Sequence, residues 1–519
     1  MHILLTVGYA GRERDVLVTG QADTTLGAVT GRLCALVGAA PTDLYAGSTP
    51  LAPDSVFGAP GLRTGCRVQV GAPGPRGQPG GLVELRVLSG REAGTRWPLR
   101  RGSYLIGRGS DSQLRLRDPL CSRVHALLQV GSGEITVQAL ASANGTLLDG
   151  QPLSDNAAPL ARSRLLRIGD TLLGLATSGG APAITRPAPD GGVQVTRPPR
   201  QWAPAEPVVL DWPVEPEPRP PARLALLALA APIVVGVALA LVLRMPHFLL
   251  FTLLSPLMML GAWLSDRRGR RRGRGQDLRD HAAALVRAEA ARDVALAADS
   301  TRRHHALPDL AELAAVAQWP GQRLWERRPG DADFGTVRLG TGSVPTEVAV
   351  RGDGQLTTLW AADLPVALPL ATVGVAGLAG PDEPLQAMVR SLVVQFAVLH
   401  SPRDLRLLLL APDEAGAEWA WLRWLPHLRR APPAADLAAA VTDRDAAAPH
   451  TVLLIPGAGT QRVDPAVGRL LAAGPRVGVL ALCLDRQSHR LPAECRAIVR
   501  VTGDVGSRLH VSGAAPASA

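Results

Sequence analysis

Residues 102–130 read GSYLIGRGSDSQLRLRDPLCSRVHALLQV, and the rest of the chain is best read outward from them. Short apolar runs (YLIG, LRL, ALLQV) alternate with turn residues at a spacing too tight for helices. The rhythm continues on both sides, through LVELRVL and RWPL before the stretch and EITVQAL, GTLLDG, LLRIGD and LLGLA after it. Many short strands at close, regular intervals from Leu82 to Ala176 predict a β-sandwich. Polar clusters punctuate it in a fixed order: Gly107 and Arg108 in GRGS, Ser122, Arg123 and His125 in SRVHA, Ser142, Asn144 and Gly145 in SANGT, then Gly169 and Asp170 in LRIGD.

Each cluster alone is common. In this order and within about a hundred strand-rich residues, the set resembles the FHA domain over Leu82 to Ala176. The resemblance implies a phosphothreonine site in which Arg108 and Ser122 bind the phosphate, Arg123 adds charge and Asn144 holds the peptide main chain. Gly107, His125 and Gly145 would then shape the loops. The chemistry agrees, because a phosphothreonine brings close to two negative charges and three strong acceptor oxygens, which call for arginine and hydroxyl donors on rigidly held loops. One position departs from the family pattern: Ala143 stands where a threonine often precedes the asparagine. That removes one hydroxyl donor, worth about 1 kcal/mol net, unless Ser142 replaces it. The alternative is a sandwich kept only for packing.

The flanks divide the chain further, since 519 residues exceed one compact core. Residues 1–72 read strand, strand, helix (from Thr24 to about Val37), then short strands, a β-grasp order that resembles ubiquitin-like domains and implies a docking or packing module. Gly/Pro-rich residues 73–81 form a linker, and the Pro-rich residues 177–222 a second one, expected to be extended and mobile. Two apolar runs of about twenty residues follow, 224–243 and 245–264, each long enough for a ~30 Å hydrocarbon core. Arginines flank the pair, with Arg219 and Arg223 before it and Arg267, Arg268, Arg270, Arg271, Arg272 and Arg274 after it, while the turn carries only Arg244. This bias predicts a transmembrane hairpin at 223–265 in the plasma membrane with both termini in the cytoplasm, and contacts to membrane lipids. A nucleic-acid patch is the competing reading of the arginine cluster. Residues 266–320 read as a basic segment and an Ala-rich helical stalk in which His304 and His305 are solvated.

Residues 321–513 alternate strand and helix patterns, the mark of an α/β domain, with a tail at 514–519. On LWERRPGDADF, PLATVGVAGLAGPDEPLQAMVRSLVVQFAVLHSPRDLRLLLLAPD, WAWLRWLPHLRR and HTVLLIPG, this domain resembles the first, degenerate motor-like domain of FtsK/SpoIIIE-type membrane ATPases of type VII secretion, the EccC/EssC family. A working P-loop needs GxxxxGK[ST]. Here the equivalent loop holds Gly377, Gly380 and Asp382, and Pro456 follows the apolar run where a metal-binding acid is needed. The chain contains no lysine, so all 55 basic residues are arginine. Neither catalytic residues nor a cofactor are expected, and the five scattered cysteines suggest neither a disulfide framework nor a metal site.

The fold expectation is therefore multidomain: a ubiquitin-like β-grasp, an all-β FHA sandwich, a two-helix transmembrane hairpin and a degenerate α/β P-loop-like domain. Three functions fit it. The first is a phosphothreonine-binding scaffold resembling the N-terminal half of a type VII secretion motor. Its partners would be a Ser/Thr kinase substrate, secretion-system subunits or a separate ATPase, and further copies of itself. The second is a stand-alone kinase-linked adaptor, and the third a fragment of a DNA-translocating FtsK-like ATPase.

Overall fold

The computed structural model describes the chain except residues 1, 22, 60, 74–82, 163, 178–182, 188–192, 201–205, 217–232, 236, 239–240, 243–247, 319, 412–417, 443, 446–447, 462, 504–506 and 514–519. At the N-terminus, β1 (His2–Tyr9) and β2 (Arg12–Thr19) form an antiparallel hairpin. Its two-residue turn, Ala10 and Gly11, has φ of 47° and 80°, the twist that matches paired strands. The strands β3 (Leu44–Ala46), β4 (Thr49–Leu51) and β5 (Arg67–Val70) complete a sheet of order β2-β1-β5-β3-β4, with β1 parallel to β5. Ile3, Leu5 and Val7, at the two-residue period of a half-buried strand, pack with Leu33 and Cys34 of α1 (Gly27–Leu36). Leu26 occupies the cap position of that helix with no side-chain cap bond, so it begins later than Thr24.

The segment read as a sandwich is one. One sheet pairs β14 (Ala158–Pro159), β11 (Ile135–Ala139), β10 (Ala126–Val130), β8 (Gly102–Gly107) and β9 (Leu114–Arg115) in that order. The other pairs β13 (Gln151–Pro152), β12 (Thr146–Leu148), β15 (Leu165–Ile168), β16 (Thr171–Thr177), β6 (Val83–Ser89) and β7 (Arg96–Leu99). Leu85, Val87, Ile106, Leu128, Val137 and Leu166 interdigitate between them, leaving the strand-connecting loops to solvent.

The second linker is not a free tether where it is described. It forms a hairpin of β17 (Ile184–Pro187) and β18 (Val193–Thr196). Arg197 Nη1 then lies 2.5 Å from Asp404, and Arg200 makes a two-pronged pair with Asp333 at 2.6 and 2.7 Å. Farther along, β19 (Val208–Asp211) pairs in parallel with β20 (Thr336–Gly352), itself hairpinned to β21 (Gln355–Pro369).

The membrane expectation is corrected. Among the described residues no helix is long and apolar enough to cross a membrane, which overturns the two-span localisation. Of the first apolar run only 233–235, 237–238 and 241–242 are described, as short helical pieces, and its turn at 243–247 lies outside the described residues. The second run has no end of its own: it is the start of α2 (Phe248–Ala306), a 59-residue helix that continues through the arginine cluster. The far end of α2 packs on the β20–β21 hairpin. There Asp299 is buried, 2.8 Å from Arg303, which reaches Glu347 at 3.4 Å. His304 is likewise not solvated. Its Nδ1 bonds the Ser300 carbonyl at 2.9 Å, and burial lowers its pKa below the usual imidazole value.

After α3 (Leu310–Gln318), the C-terminal unit is a seven-stranded sheet of order β24-β23-β25-β26-β22-β27-β28. Its strands are β22 (Val375–Ala379), β23 (Leu405–Leu409), β24 (Leu428–Arg429), β25 (His450–Pro456), β26 (Val479–Asp485), β27 (Ala497–Thr502) and β28 (Arg508–Gly513). All pairings are parallel except that of β28 with β27. Every residue of β22 and β26 is buried, the pattern of parallel strands covered on both faces. One face packs on α5 (Asp382–Leu399), through Val389, Leu392 and Phe396. The other packs on α6 (Ala434–Thr442) and α8 (Pro465–Ala473). The short helices α4 (Leu370–Val373) and α7 (Ala458–Gln461) complete the unit.

Candidate binding site

Three loops at one end of the sandwich carry the predicted residues, and backbone bonds tie them together. The Arg108 amide donates to the Ser122 carbonyl at 2.8 Å and the Gly109 amide to the Arg123 carbonyl at 2.9 Å. This close approach explains Gly107: a Cβ there would sit 2.2 Å from the Arg123 carbonyl oxygen and 2.6 Å from Ser112 Oγ. The third loop joins through Ser122 Oγ, which accepts the Ala143 amide at 3.2 Å, and through Asn144 Nδ2, which donates to the Leu120 carbonyl at 2.8 Å. Gly145 supplies the positive φ of 69° that turns this loop into β12.

His125 lies fully buried beneath the loops. Its Nδ1 accepts the Ser122 amide at 3.0 Å, so the ring proton belongs on Nε2, which donates to the Gly145 carbonyl at 3.0 Å. One imidazole thus fixes the loop bearing Ser122 and the loop bearing Asn144.

Above this frame the site is cationic. Arg108 and Arg123 are exposed, and among the described residues neither forms an ion pair. Arg108 Nε is held by the Cys121 carbonyl at 3.2 Å. Arg115 Nε contacts the Arg108 carbonyl at 3.2 Å and brings a third guanidinium to the loop. Two arginines without counter-charges beside an anchored serine hydroxyl can receive a tetrahedral dianion. With its amide nitrogen engaged, Asn144 has its carbonyl oxygen to accept an N–H from a docked peptide. Cys121 takes no part: burial, then nearby Asp118, pushes its thiol up to about 11.

The structure brings together Arg108, Ser122, Arg123 and Asn144, and it adds residues that the motifs did not single out. Buried Asp118 accepts the Leu120 amide at 2.9 Å, the Asp170 amide at 2.8 Å and the Thr171 hydroxyl at 2.9 Å. It anchors the loop that ends in Ser122. The Asp118-Pro119 dipeptide is a turn signal that could have marked it. Ser112 Oγ donates to the Arg123 carbonyl at 3.0 Å.

The residues expected at a P-loop position lie elsewhere. Gly377 is inside β22, where a Cβ would meet Leu491 at 2.6 Å, and Gly380 faces the Val501 carbonyl, 2.8 Å from where its Cβ would be. The strand-to-helix connection is only Gly380 and Pro381 before α5 begins at Asp382, whose carboxylate pairs with Arg486 Nε at 2.7 Å.

A family model described as "inner membrane component of T3SS, cytoplasmic domain" matches residues 86–179. Among characterised relatives, the ESX-4 secretion system protein EccC4 of Mycobacterium tuberculosis is 36% identical over 138 residues, covering 23% of this chain and 11% of that protein. The ESX secretion system protein EccC of Thermomonospora curvata is 37% identical over 123 residues, covering 20% and 9%. The chain thus spans about a tenth of the length of these relatives. Two solved FHA structures align at a TM-score of 0.17. One, from an analysis of phosphothreonine-dependent FHA interactions, is 31% identical and covers 19% of this chain and 97% of its own. The other, the FhaA FHA domain complexed with the intracellular domain of Rv3910, is 32% identical and covers 18% and 99%.

Proposed function

We propose that this chain, an FHA-containing protein of the EccC/EssC type, works as a phosphothreonine-reading scaffold of a type VII secretion assembly. The observation that carries the proposal is the loop triad. Arg108 and Arg123 face solvent and, among the described residues, have no ion-pair partner, beside a Ser122 fixed through both its amide and its hydroxyl. Such an arrangement pays the ordering cost before ligand arrives, and among the described residues no carboxylate is paired to these arginines for a phosphate to displace. The N-terminal sheet is read as a β-grasp docking module.

The α/β unit is read as a motor-like domain without ATPase chemistry. A two-residue connection offers no run of backbone amides to cradle phosphates, and the Asp382 carboxylate at the helix start repels a triphosphate while pairing with Arg486. Energy for secretion would come from another ATPase component.

The test uses the full chain and a library of phosphothreonine peptides with unphosphorylated counterparts. Wild type is expected to select phosphorylated sequences. Arg108→Ala should lose about ten- to a hundred-fold in affinity, the equivalent of a charge-assisted bond worth roughly 1.5–3 kcal/mol. No selection by wild type, or an unchanged Arg108→Ala variant, would reduce the sandwich to a spacer.

A further inference from the structure

A cavity of about 970 Å³ lies on the seam between the sandwich and the α/β unit, and none of Arg108, Ser122, Arg123 or Asn144 lines it. Among the described residues its charged lining comes from both sides: five arginines (Arg91, Arg167, Arg338, Arg390 and Arg508) and two carboxylates, Asp170 and Glu383. Those two are already engaged, Asp170 by the Ser507 hydroxyl at 2.8 Å and Glu383 by Arg91 at 3.8 Å. Arg167 is paired with Asp363. Arg390 and Arg508 form no ion pair among the described residues.

Arg338 is the unusual member. It is only 6% exposed, yet neutral carbonyls are its side-chain partners, Leu307 at 3.1 Å and Gly340 at 3.3 Å, and among the described residues buried Nη2 has no acceptor. A buried guanidinium without a direct ion pair is costly, and burial lowers its pKa although Asp309 and Glu312 nearby act in the opposite sense. Ser343, Thr341 and Ser391 add hydroxyl donors to the same walls.

We infer that this seam cavity is a binding site for a small phosphorylated anion, held by Arg338, Arg390 and Arg508 of the α/β side and facing the sandwich wall that carries Arg91 and Arg167. Guanidinium forks and several hydroxyls suit a ligand with many acceptor oxygens. The volume is that of a small-molecule site. Among the described residues no aromatic side chain lines it, so a ligand is recognised through its charged oxygens and not through a stacked base. The bound anion would give Arg338 a direct ion pair and would stiffen the seam.

Inorganic pyrophosphate is the probe, and citrate, a carboxylate of comparable charge, is the comparison. Titration calorimetry on the full chain, in an Arg108→Ala background that silences the sandwich loops, should show pyrophosphate binding. Arg390→Gln and Arg508→Gln, both at exposed positions and harmless to folding, should each weaken it about ten-fold. Pyrophosphate should also raise the unfolding midpoint of the background protein, and Arg338→Met should abolish that rise. Absence of pyrophosphate binding, equal affinity for citrate, or unchanged affinity in the Arg390 and Arg508 variants would each overturn the inference.

Discussion

Replacing His125 with Leu tests the loop frame most directly. Leucine fills comparable space but offers neither nitrogen, so the Ser122 amide and the Gly145 carbonyl both lose partners now at 3.0 Å. An abandoned buried donor costs about 1–3 kcal/mol. Gly145 is exposed, so water can reach its carbonyl and its share falls to about 1 kcal/mol. Together the loss is about 2–4 kcal/mol of local stability, which corresponds to amide exchange roughly 30- to 1,000-fold faster where exchange follows local opening. Hydrogen exchange on the full chain should show this acceleration in residues 118–125 and 142–146, and phosphopeptide affinity should fall with it. The core strands β10 and β16 should exchange as before. Exchange within three-fold of wild type across both loops would refute the claim that His125 holds them.

Three further outcomes are expected. Ala143→Thr should tighten phosphothreonine-peptide binding by about five-fold, one net hydrogen bond's worth, as read by calorimetry. The full chain should show no magnesium-dependent ATP affinity tighter than millimolar, whereas micromolar binding would reject the pseudo-motor reading. Stability of the α/β unit, followed by its urea midpoint, should fall as pH drops from 7 toward 5. Burial, then Arg327, holds His400 well below its usual value of 6.5, and burial also lowers His427 and His450. The unfolded chain therefore takes up more protons below about pH 6.5, and the native state loses ground there.

The sandwich was legible because its strands alternate at period two and its loops carry paired signals, Gly107-Arg108 and Asn144-Gly145, whose spacing the fold preserves. The α/β unit is legible from its alternating strand and helix patterns, and the apolar run VLALCL at 479–484 suits a strand covered on both faces. Asp118 is only half legible: the Asp118-Pro119 turn signal marks its local bond to the Leu120 amide, but Asp170 and Thr171 become its partners only when β15 and β16 fold back. The seam cavity was out of reach on the same ground, since its arginines come from five separated segments. His304 was misjudged by treating a helix as isolated, when the β20–β21 hairpin covers that end of α2. The apolar runs at 224–243 and 245–264 suggest a hairpin through their length, their lack of a polar face and their flanking arginines. The second instead runs on, without a stop, into a 59-residue helix.

The docking of the second linker changes how a captured phosphoprotein would be presented. A flexible chain of about 20 residues lets its ends wander over about 25 Å, and cargo on the sandwich would then swing. Arg197 and Arg200 are instead clasped by Asp404 and Asp333 on the α/β unit, and β19 lies in register along β20. Where it is described, the connection is thus a spar and not a tether: it lies against the β20–β21 hairpin and the start of β23, so cargo captured on the sandwich would be held through an anchored segment.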